Sequence, residues 1–198
     1  ELNPRKKILG RDLFIPADIS SAAYFIVACL ILKDSHILLK NIGINETRSY
    51  ILNILSSMGA DIRVKNKRMV NNEPLADLEV FSSPLKAVEI PPGQIPNIID
   101  EIPVLCAAAA KAEGKTIIKG AGELRHKESD RIAALYSQFL KLGINIAPQP
   151  DGLIIEGNPG LQPKSAQLSS FGDHRIAMAQ SVLALLASGP VTINDADC

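Results

Sequence analysis

The sequence has little cysteine, no excess of charge of either sign, and no long apolar run. Its three cysteines are Cys29, Cys106 and Cys198. An odd number without the spacing of a disulfide framework predicts buried free thiols in a reducing compartment. Lysine and arginine total 21, as do aspartate and glutamate, and this balance gives no support to a nucleic-acid or anionic-membrane surface. The longest apolar run, residues 22–32, has 11 residues, which is too few for a membrane span.

Motifs for common cofactors are also missing. The sequence has no Walker A or dinucleotide-binding glycine pattern, and no histidine and cysteine spacing typical of a zinc site. We therefore expect His36 and His126 to lie on the surface. The chain opens on Glu1 rather than methionine, carries no secretory signal, and stops just after a strand-like segment. These features predict a piece of a longer protein.

The most informative feature of the sequence is a repeated pattern. Each copy has an aspartate, an apolar segment of helix length, a small polar turn and a β-rich strand, and the copies begin at Asp18, Asp100 and Asp173. An amphipathic helix and hairpin segments follow in the first two copies, with Gly59 and Gly143 as expected left-handed helix caps. The pattern predicts an α/β fold of βαβαββ units, two complete and one truncated. The first helix of each unit is apolar all round, which indicates burial on every side.

The three aspartates allow two interpretations. For Asp18 and Asp173, capping of the following helix is the favoured one. For Asp100, which precedes Glu101 and Pro103, a cap and a functional carboxylate are equally open.

The second copy carries a charged insertion. The segment between comparable glycines is 16 residues long in the first copy and 21 in the second, and the extra residues fall on "ELRHK". Function is often added at such a strand-to-helix junction. At 100° per residue, Lys127, Glu128 and Arg131 would share one face of the first helical turn.

Cations at a helix start need an explanation, because they oppose the helix dipole at a cost of about 0.3–1 kcal/mol each when unpaired. A bound anion reverses that cost, since the free N–H groups then assist the cations. Alternatively, Lys127 and Arg131 are solvated or paired with neighbouring acids. These acids are Glu123, Glu128 and Asp130.

The third copy of the pattern favours a bound anion over solvation or local ion pairs. Its "FGDHRIAMA" again places an arginine, Arg175, in the first turn of an apolar helix. Arginine binds carboxylate and phosphate through two parallel hydrogen bonds, so Arg131 and Arg175 would form one anion clamp.

Four stretches, taken in order, resemble the carboxyl-terminal half of 5-enolpyruvylshikimate-3-phosphate synthase. They are "IPADISSAAYF" (15–25), "IIDEIPVLCAAAA" (98–110), "GAGELRHKESDRI" (120–132) and "GDHRIAMA" (172–179). The resemblance covers nearly the whole chain, and "KESDR" and "DHR" followed by "AMA" are specific to the family. It implies an inverse α/β barrel of two domains, each of three βαβαββ units, with buried parallel helices whose amino termini face the interdomain cleft. Residues 1–12 would then be the hinge and the end of a missing amino-terminal domain, and residues 13–198 a truncated carboxyl-terminal domain.

The resemblance also implies an activity. The family transfers the enolpyruvyl group of phosphoenolpyruvate to the 5-hydroxyl of shikimate 3-phosphate, releasing phosphate, in cytoplasmic aromatic amino acid biosynthesis and without a metal or organic cofactor. By position, Arg131 and Arg175 match the arginines that bind phosphoenolpyruvate. Lys127 and Asp100 match residues that contact shikimate 3-phosphate. Asp100 matches the base that takes the hydroxyl proton, and Glu128 matches the acid that protonates the methylene carbon.

Departures from the family pattern limit what can be carried over. Glu123 stands where some members have an asparagine that contacts shikimate 3-phosphate, so that contact is not assigned. The family's last active-site lysine would lie beyond Cys198, and the amino-terminal residues are absent, so we expect the fragment alone to be inactive. "DEIP" is similar to a bacterial subclass tolerant of glyphosate, which makes glyphosate a candidate inhibitor. The expected complete enzyme is a monomer.

Two other functions remain open at this point. One is the sister enolpyruvyl transferase that acts on UDP-N-acetylglucosamine, which shares the fold and phosphoenolpyruvate. The other is a non-catalytic binding module built from the repeats.

Overall fold

The computed structural model describes residue 10 and residues 12–198. Residues 1–9 and 11, most of the predicted hinge, lie outside the described residues. The helices are α1 (Ile19–Ile31), α2 (Tyr50–Ser57), α3 (Ile102–Lys111), α4 (Arg131–Lys141) and α5 (His174–Ala184). The strands are β1 (His36–Gly43), β2 (Asp61–Val70), β3 (Glu73–Phe81), β4 (Glu89–Ile90), β5 (Gly114–Ile118), β6 (Asn145–Gln149), β7 (Gly152–Gly157), β8 (Ala166–Ser169) and β9 (Val191–Asn194). The predicted α/β class is confirmed.

The strands form three sheets with related topology. Their orders are β1-β3-β2, β4-β5-β7-β6 and β8-β9. Strands β4 and β5 are parallel, as are β8 and β9, and a parallel bridge joins Ala17 to Ile42 in the first sheet. A parallel pair needs a crossover connection, and α1, α3 and α5 are those crossovers. The hairpins β2–β3 and β6–β7 are antiparallel.

The three crossover helices pack against one another to form the core. In α3 every residue from Ile102 to Ala110 is buried, and its alanines allow neighbouring helices to approach closely. The first turns of the three helices meet, because Ser20 of α1 contacts Glu101 and Arg175 of α5 contacts Asp100. The helices therefore run parallel, with their amino termini at one end. Burial on every side holds for α3 but not for α1, where Phe25 is 64% exposed, nor for α5, where Ser181 is exposed.

Several local predictions are confirmed. Gly59 and Gly143 have φ angles of +93° and +84°, the left-handed conformation expected of helix caps. Cys29 and Cys106 are buried free thiols, and burial raises the pKa of both, whereas the free thiol of Cys198 is exposed. Within residues 12–198, no helix combines the length and the hydropathy needed to cross a bilayer.

A buried carboxylate organises the first sheet. Asp77 on β3 accepts hydrogen bonds from the backbone N–H of Asn41 and the side-chain amide of Asn66, both at 2.8 Å. Both asparagines lie at bulges in the neighbouring strands and have positive φ angles. Asp77 therefore satisfies irregular backbone in a sheet rather than facing the helix starts.

The carboxyl end of α3 packs directly on the β7 backbone at Gly157. A Cβ atom at this position would lie 2.3 Å from the carbonyl oxygen of Ala109 and 2.2 Å from that of Ala112. We expect Gly157→Ala to lower the free energy of unfolding by about 1–3 kcal/mol, the usual cost of overpacking. Urea unfolding would measure it, with Gly93→Ala as the control because nothing lies within 4 Å of its Cβ position. Equal midpoints for the two variants would contradict this close packing.

Candidate active site

The starts of three helices bring together side chains from two different repeats. Arg131 is the first residue of α4, Arg175 is the second residue of α5, and Asp100 lies just before α3. The Nη1 atom of Arg131 is 3.5 Å from one carboxylate oxygen of Asp100, and the Nη2 atom of Arg175 is 3.3 Å from the other. Arg175 also donates a hydrogen bond of 3.0 Å to the backbone carbonyl of Asp100. One carboxylate thus bridges two guanidinium groups.

Arg131 is the most enclosed cation of this cluster. Its side chain is 1% exposed, and its Nε atom donates to Asp173, which is fully buried, over 2.8 Å. Its Nη2 atom also donates to Glu128. Burial alone would lower the pKa of Arg131, but the hydrogen bond to Asp173 and the charges of Asp173, Glu128 and Asp100 raise it. Arg131 therefore stays charged in the interior.

Asp173 has two roles, of which the sequence indicated one. As predicted, it caps α5 by accepting a hydrogen bond from the backbone N–H of Arg175. It is also the counter-ion of Arg131 and accepts a hydrogen bond from the Ser129 hydroxyl at 3.1 Å. Burial acts to raise the pKa of Asp173, but the hydrogen bond and charge of Arg131 outweigh it and the pKa is lowered. The counter-ion role was not predicted, and the feature of the sequence that could have indicated it is the position of Asp173 directly before "HR" in the motif.

The predicted placement of Lys127 and Glu128 on the first turn of a helix is wrong. The insertion forms a 3₁₀ helix over Gly122–His126, and α4 begins only at Arg131. The reason is Asp130, whose carboxylate accepts hydrogen bonds from the N–H of Ala133 and from Arg125, both at 3.0 Å. Asp130 thereby caps α4 and sets its start after the charged loop.

Arg125 holds that loop in place. Besides pairing with Asp130, it donates to the backbone carbonyls of Pro150 and Gln149 over 3.0 and 2.8 Å. The insertion is therefore tied to the β6–β7 turn by two hydrogen bonds and to the cap of α4 by a third. Lys127 and Glu128 lie in a fixed loop rather than on a helix.

Lys127 faces the residue whose role the sequence left open. Its Nζ atom is 2.9 Å from the carboxylate of Glu123, which is itself well exposed. A pair at the surface contributes at most about 1 kcal/mol. Lys127 is thus paired with a neighbouring acid, which was one of the two interpretations that the sequence allowed. A dianionic ligand could replace Glu123 as the partner of Lys127 at little cost in free energy.

Asp18 caps α1 through the N–H of Ser21, as predicted, whereas Asp100 is not a cap. The N-cap of α3 is Glu101, whose side chain makes no capping hydrogen bond. Within the part of the chain that the structure describes, the contacts of the Asp100 carboxylate are with the two arginines and not with the backbone of α3.

The arrangement suits acid–base chemistry on an anion. Asp100 and Glu128, 37% and 51% exposed, flank the buried guanidinium of Arg131 on its solvent side. Carboxylates in such positions exchange protons with a ligand, and guanidinium groups hold carboxylate or phosphate. In residues 12–198, no group of three or more histidine, cysteine, aspartate or glutamate side chains is placed to hold a metal ion.

Comparison with known proteins shows the family of the chain. The family model described as EPSP synthase (3-phosphoshikimate 1-carboxyvinyltransferase) matches residues 1–198. The 3-phosphoshikimate 1-carboxyvinyltransferase of Petrotoga mobilis is 50% identical over 193 residues, covering 98% of this chain and 44% of that protein. The enzyme of the same name from Syntrophotalea carbinolica is 48% identical over 197 residues, covering 100% of this chain and 45% of that protein. The chain thus spans about half the length of these curated relatives.

Solved structures show the same relationship. The structure of EPSP synthase from Acinetobacter baumannii superposes with a TM-score of 0.92 at 42% identity, covering 98% of this chain and 45% of that one. The enolpyruvyl transferase NikO from Streptomyces tendae has a TM-score of 0.66 at 20% identity over 89% of this chain and 38% of that one, a likeness of fold alone. The family match over every residue, together with these identities, establishes that the chain belongs to the EPSP synthase family.

Proposed function

We propose that this chain is the carboxyl-terminal catalytic domain of an enzyme that transfers the enolpyruvyl group of phosphoenolpyruvate to the 5-hydroxyl of shikimate 3-phosphate, releasing phosphate. In this proposal residues 13–198 form the domain and residues 1–12 the hinge to an amino-terminal domain. The observation that carries the proposal is the carboxylate of Asp100 between Arg131 and Arg175. It puts a base beside two groups that bind anions.

The two arginines would bind phosphoenolpyruvate. Both guanidinium groups present N–H donors toward Asp100, and each can donate two hydrogen bonds to the carboxylate or phosphate of the substrate. Lys127, together with Asp100, would contact shikimate 3-phosphate. Its pairing with the exposed Glu123 supports this, because exchange of one anionic partner for another costs little there.

The two carboxylates would move the protons. Asp100 takes the proton of the 5-hydroxyl group while the hydroxyl oxygen bonds to C2 of phosphoenolpyruvate. Glu128 gives a proton to the methylene carbon. Glu128 then takes a proton back from the resulting methyl group as the C–O bond to phosphate breaks and the enol ether forms. Addition of an alcohol across the double bond of an enol phosphate needs a base at oxygen and an acid at carbon, and Asp100 and Glu128 both contact Arg131.

In this chain the helix starts cover the site on one side only, among the residues that the structure describes. Asp100 and Glu128 are open to solvent, and the relatives are about twice as long as the chain. A second domain closing over the site would exclude water and complete the binding of both substrates. Such an enzyme would act in aromatic amino acid biosynthesis. A cytoplasmic, monomeric enzyme remains a prediction.

The experiment is an assay of phosphate release with phosphoenolpyruvate and either shikimate 3-phosphate or UDP-N-acetylglucosamine. The full-length protein should release phosphate with shikimate 3-phosphate, and the 198-residue chain alone should not. Turnover with the nucleotide sugar instead would assign the sister reaction. If neither acceptor gives turnover, the result would support the alternative that the chain is a non-catalytic binding module.

Arg175 offers a test of phosphoenolpyruvate binding. Its side chain is 14% exposed and its ion pair is with the partly exposed Asp100, so Arg175→Lys should fold normally. Because lysine cannot make two parallel hydrogen bonds, KM for phosphoenolpyruvate should rise about tenfold while KM for shikimate 3-phosphate changes less. Steady-state kinetics of the full-length enzyme would measure both constants. Arg63→Lys on the exposed face of β2 is the control, and an equal rise for both substrates would speak against a specific contact.

A further inference from the structure

A second polar cluster lies beside the site, at the starts of α1 and α3. Glu101 is only 4% exposed although it is an acid, and its carboxyl accepts a hydrogen bond from the Ser20 hydroxyl, which is also buried. Ser20 in turn accepts a hydrogen bond of 3.2 Å from the guanidinium of Arg48. The same nitrogen of Arg48 is 3.7 Å from the carboxylate of Asp18. This Ser20–Glu101 cluster runs from the surface of α1 to the interior start of α3.

A buried acid at this position has to be explained, because taking a carboxyl group out of water is costly and an apolar residue would be cheaper. The charged and titratable groups that face Glu101 are Arg175 of α5, Asp100 before α3, Arg48 before α2 and Tyr24 of α1. Burial raises the pKa of Glu101, Asp100 adds to this, and the Ser20 hydrogen bond and the two arginines act against it. Burial also raises the pKa of Tyr24 to about 12. Both shifts favour the neutral forms of these two groups.

Glu101 is directly linked to the active-site carboxylate. Asp100 precedes it in the chain and lies outside α3, so the position of Asp100 follows that of the helix start. The backbone N–H of Glu101 donates to Ile98, and its carbonyl accepts from Leu105, both at 2.9 Å. Asp100 then holds Arg175 through both its carboxylate and its carbonyl. A small displacement at Glu101 would move both groups of the site.

We propose that Glu101, held by Ser20, is a positioning residue that sets where Asp100 and Arg175 stand, without itself contacting either substrate. The inference rests on the proposed function. A reacting group misplaced by about 1 Å loses up to about 10²-fold in rate, so the hydrogen bond between α1 and α3 has a measurable consequence.

The test uses the full-length enzyme with Glu101→Leu, Glu101→Gln and Ser20→Ala. Glu101→Leu should lower kcat/KM for phosphoenolpyruvate by about 10²-fold, mainly through kcat. Glu101→Gln should recover at least about tenfold of that loss, because its amide oxygen accepts the Ser20 hydrogen bond at similar length. Ser20→Ala should fall between the two. Asp77→Asn is the matched control, a buried acid of the first sheet whose replacement should lower the melting temperature and leave the kinetic constants alone.

The outcomes separate this inference from the proposed function. Parent enzyme that releases no phosphate would refute the function. Active parent enzyme with parental kcat/KM in Glu101→Leu and Ser20→Ala would overturn the positioning role, as would a Gln variant as impaired as the Leu variant. If Glu101→Leu does not fold, Ser20→Ala decides: a reduced kcat supports the role, and a parental kcat overturns it.

Discussion

Asp100→Asn and Glu128→Gln should each lower turnover of the full-length enzyme by about 10²-fold or more, the scale of general acid–base catalysis. Asparagine removes the base that takes the hydroxyl proton, and glutamine removes the acid that protonates carbon. Glutamine keeps an oxygen that accepts from Arg131, and asparagine keeps one of the two oxygens that bridge Arg131 and Arg175, while the hydrogen bond from Arg175 to the backbone carbonyl of residue 100 is unchanged. Phosphate release at saturating concentrations of both substrates measures the effect.

Glu156→Gln is the control for this pair. Glu156 is an exposed acid on β7 that accepts a hydrogen bond of 3.0 Å from Asn145, so the change also neutralises a hydrogen-bonded carboxylate. Its turnover should stay near that of the parent enzyme, and all three variants should melt at similar temperatures. Near-parental turnover in either active-site variant would remove the proton-transfer role of that residue.

Asp173→Ala should have the largest effect on stability. It leaves the fully buried guanidinium of Arg131 without its main counter-ion, and breaking a buried pair in this way costs about 3–5 kcal/mol. Asp18→Ala is the matched control, because Asp18 caps α1 as Asp173 caps α5 but is half-exposed and has no buried partner. Loss of a cap alone costs about 0.5–2 kcal/mol. Urea unfolding of the full-length protein would measure both, and equal losses would show that the buried pair contributes nothing beyond the cap.

The pH dependence of that stability follows from the lowered pKa of Asp173. Its ordinary value is 3.8, and the folded protein holds it below that. A carboxyl with a depressed folded pKa stabilises the fold above its unfolded pKa, and the stabilisation is lost as pH falls through the folded value. The stability difference between parent and Asp173→Ala should therefore be constant from neutral pH down to about pH 4 and shrink below it.

Many features of the fold could be predicted because they depend on residues that are close together in the sequence. The α/β class, the buried helix α3, the caps at Asp18 and Asp173, and the glycine ends at Gly59 and Gly143 depend on residues within one or two helical turns. Local periodicity records these features directly. The motifs "KESDR" and "DHR" identified the family for the same reason, since each is a contiguous run of residues.

The insertion shows where such patterns become ambiguous. A helical wheel placed Lys127 and Glu128 on a helix, because charged residues at this spacing are compatible with one. The actual start at Arg131 depends on Arg125, which binds both Asp130 and the carbonyls of a distant turn. A cap chosen by a tertiary contact cannot be read from the residues beside it.

By itself, the sequence determined the class of fold, the glycine ends of two helices, the family and the set of charged residues near three helix starts. Only the tertiary structure decided which of those charges face one another. Arg131 and Asp173 are 42 residues apart, and Ser20 and Glu101 are 81 apart. Whether a charge is buried, and which partner compensates it, depends on how helices from separate repeats pack, and the energy of a buried charge depends on that partner. The pairing of these side chains is therefore a property of the assembled core and not of any single stretch of the chain.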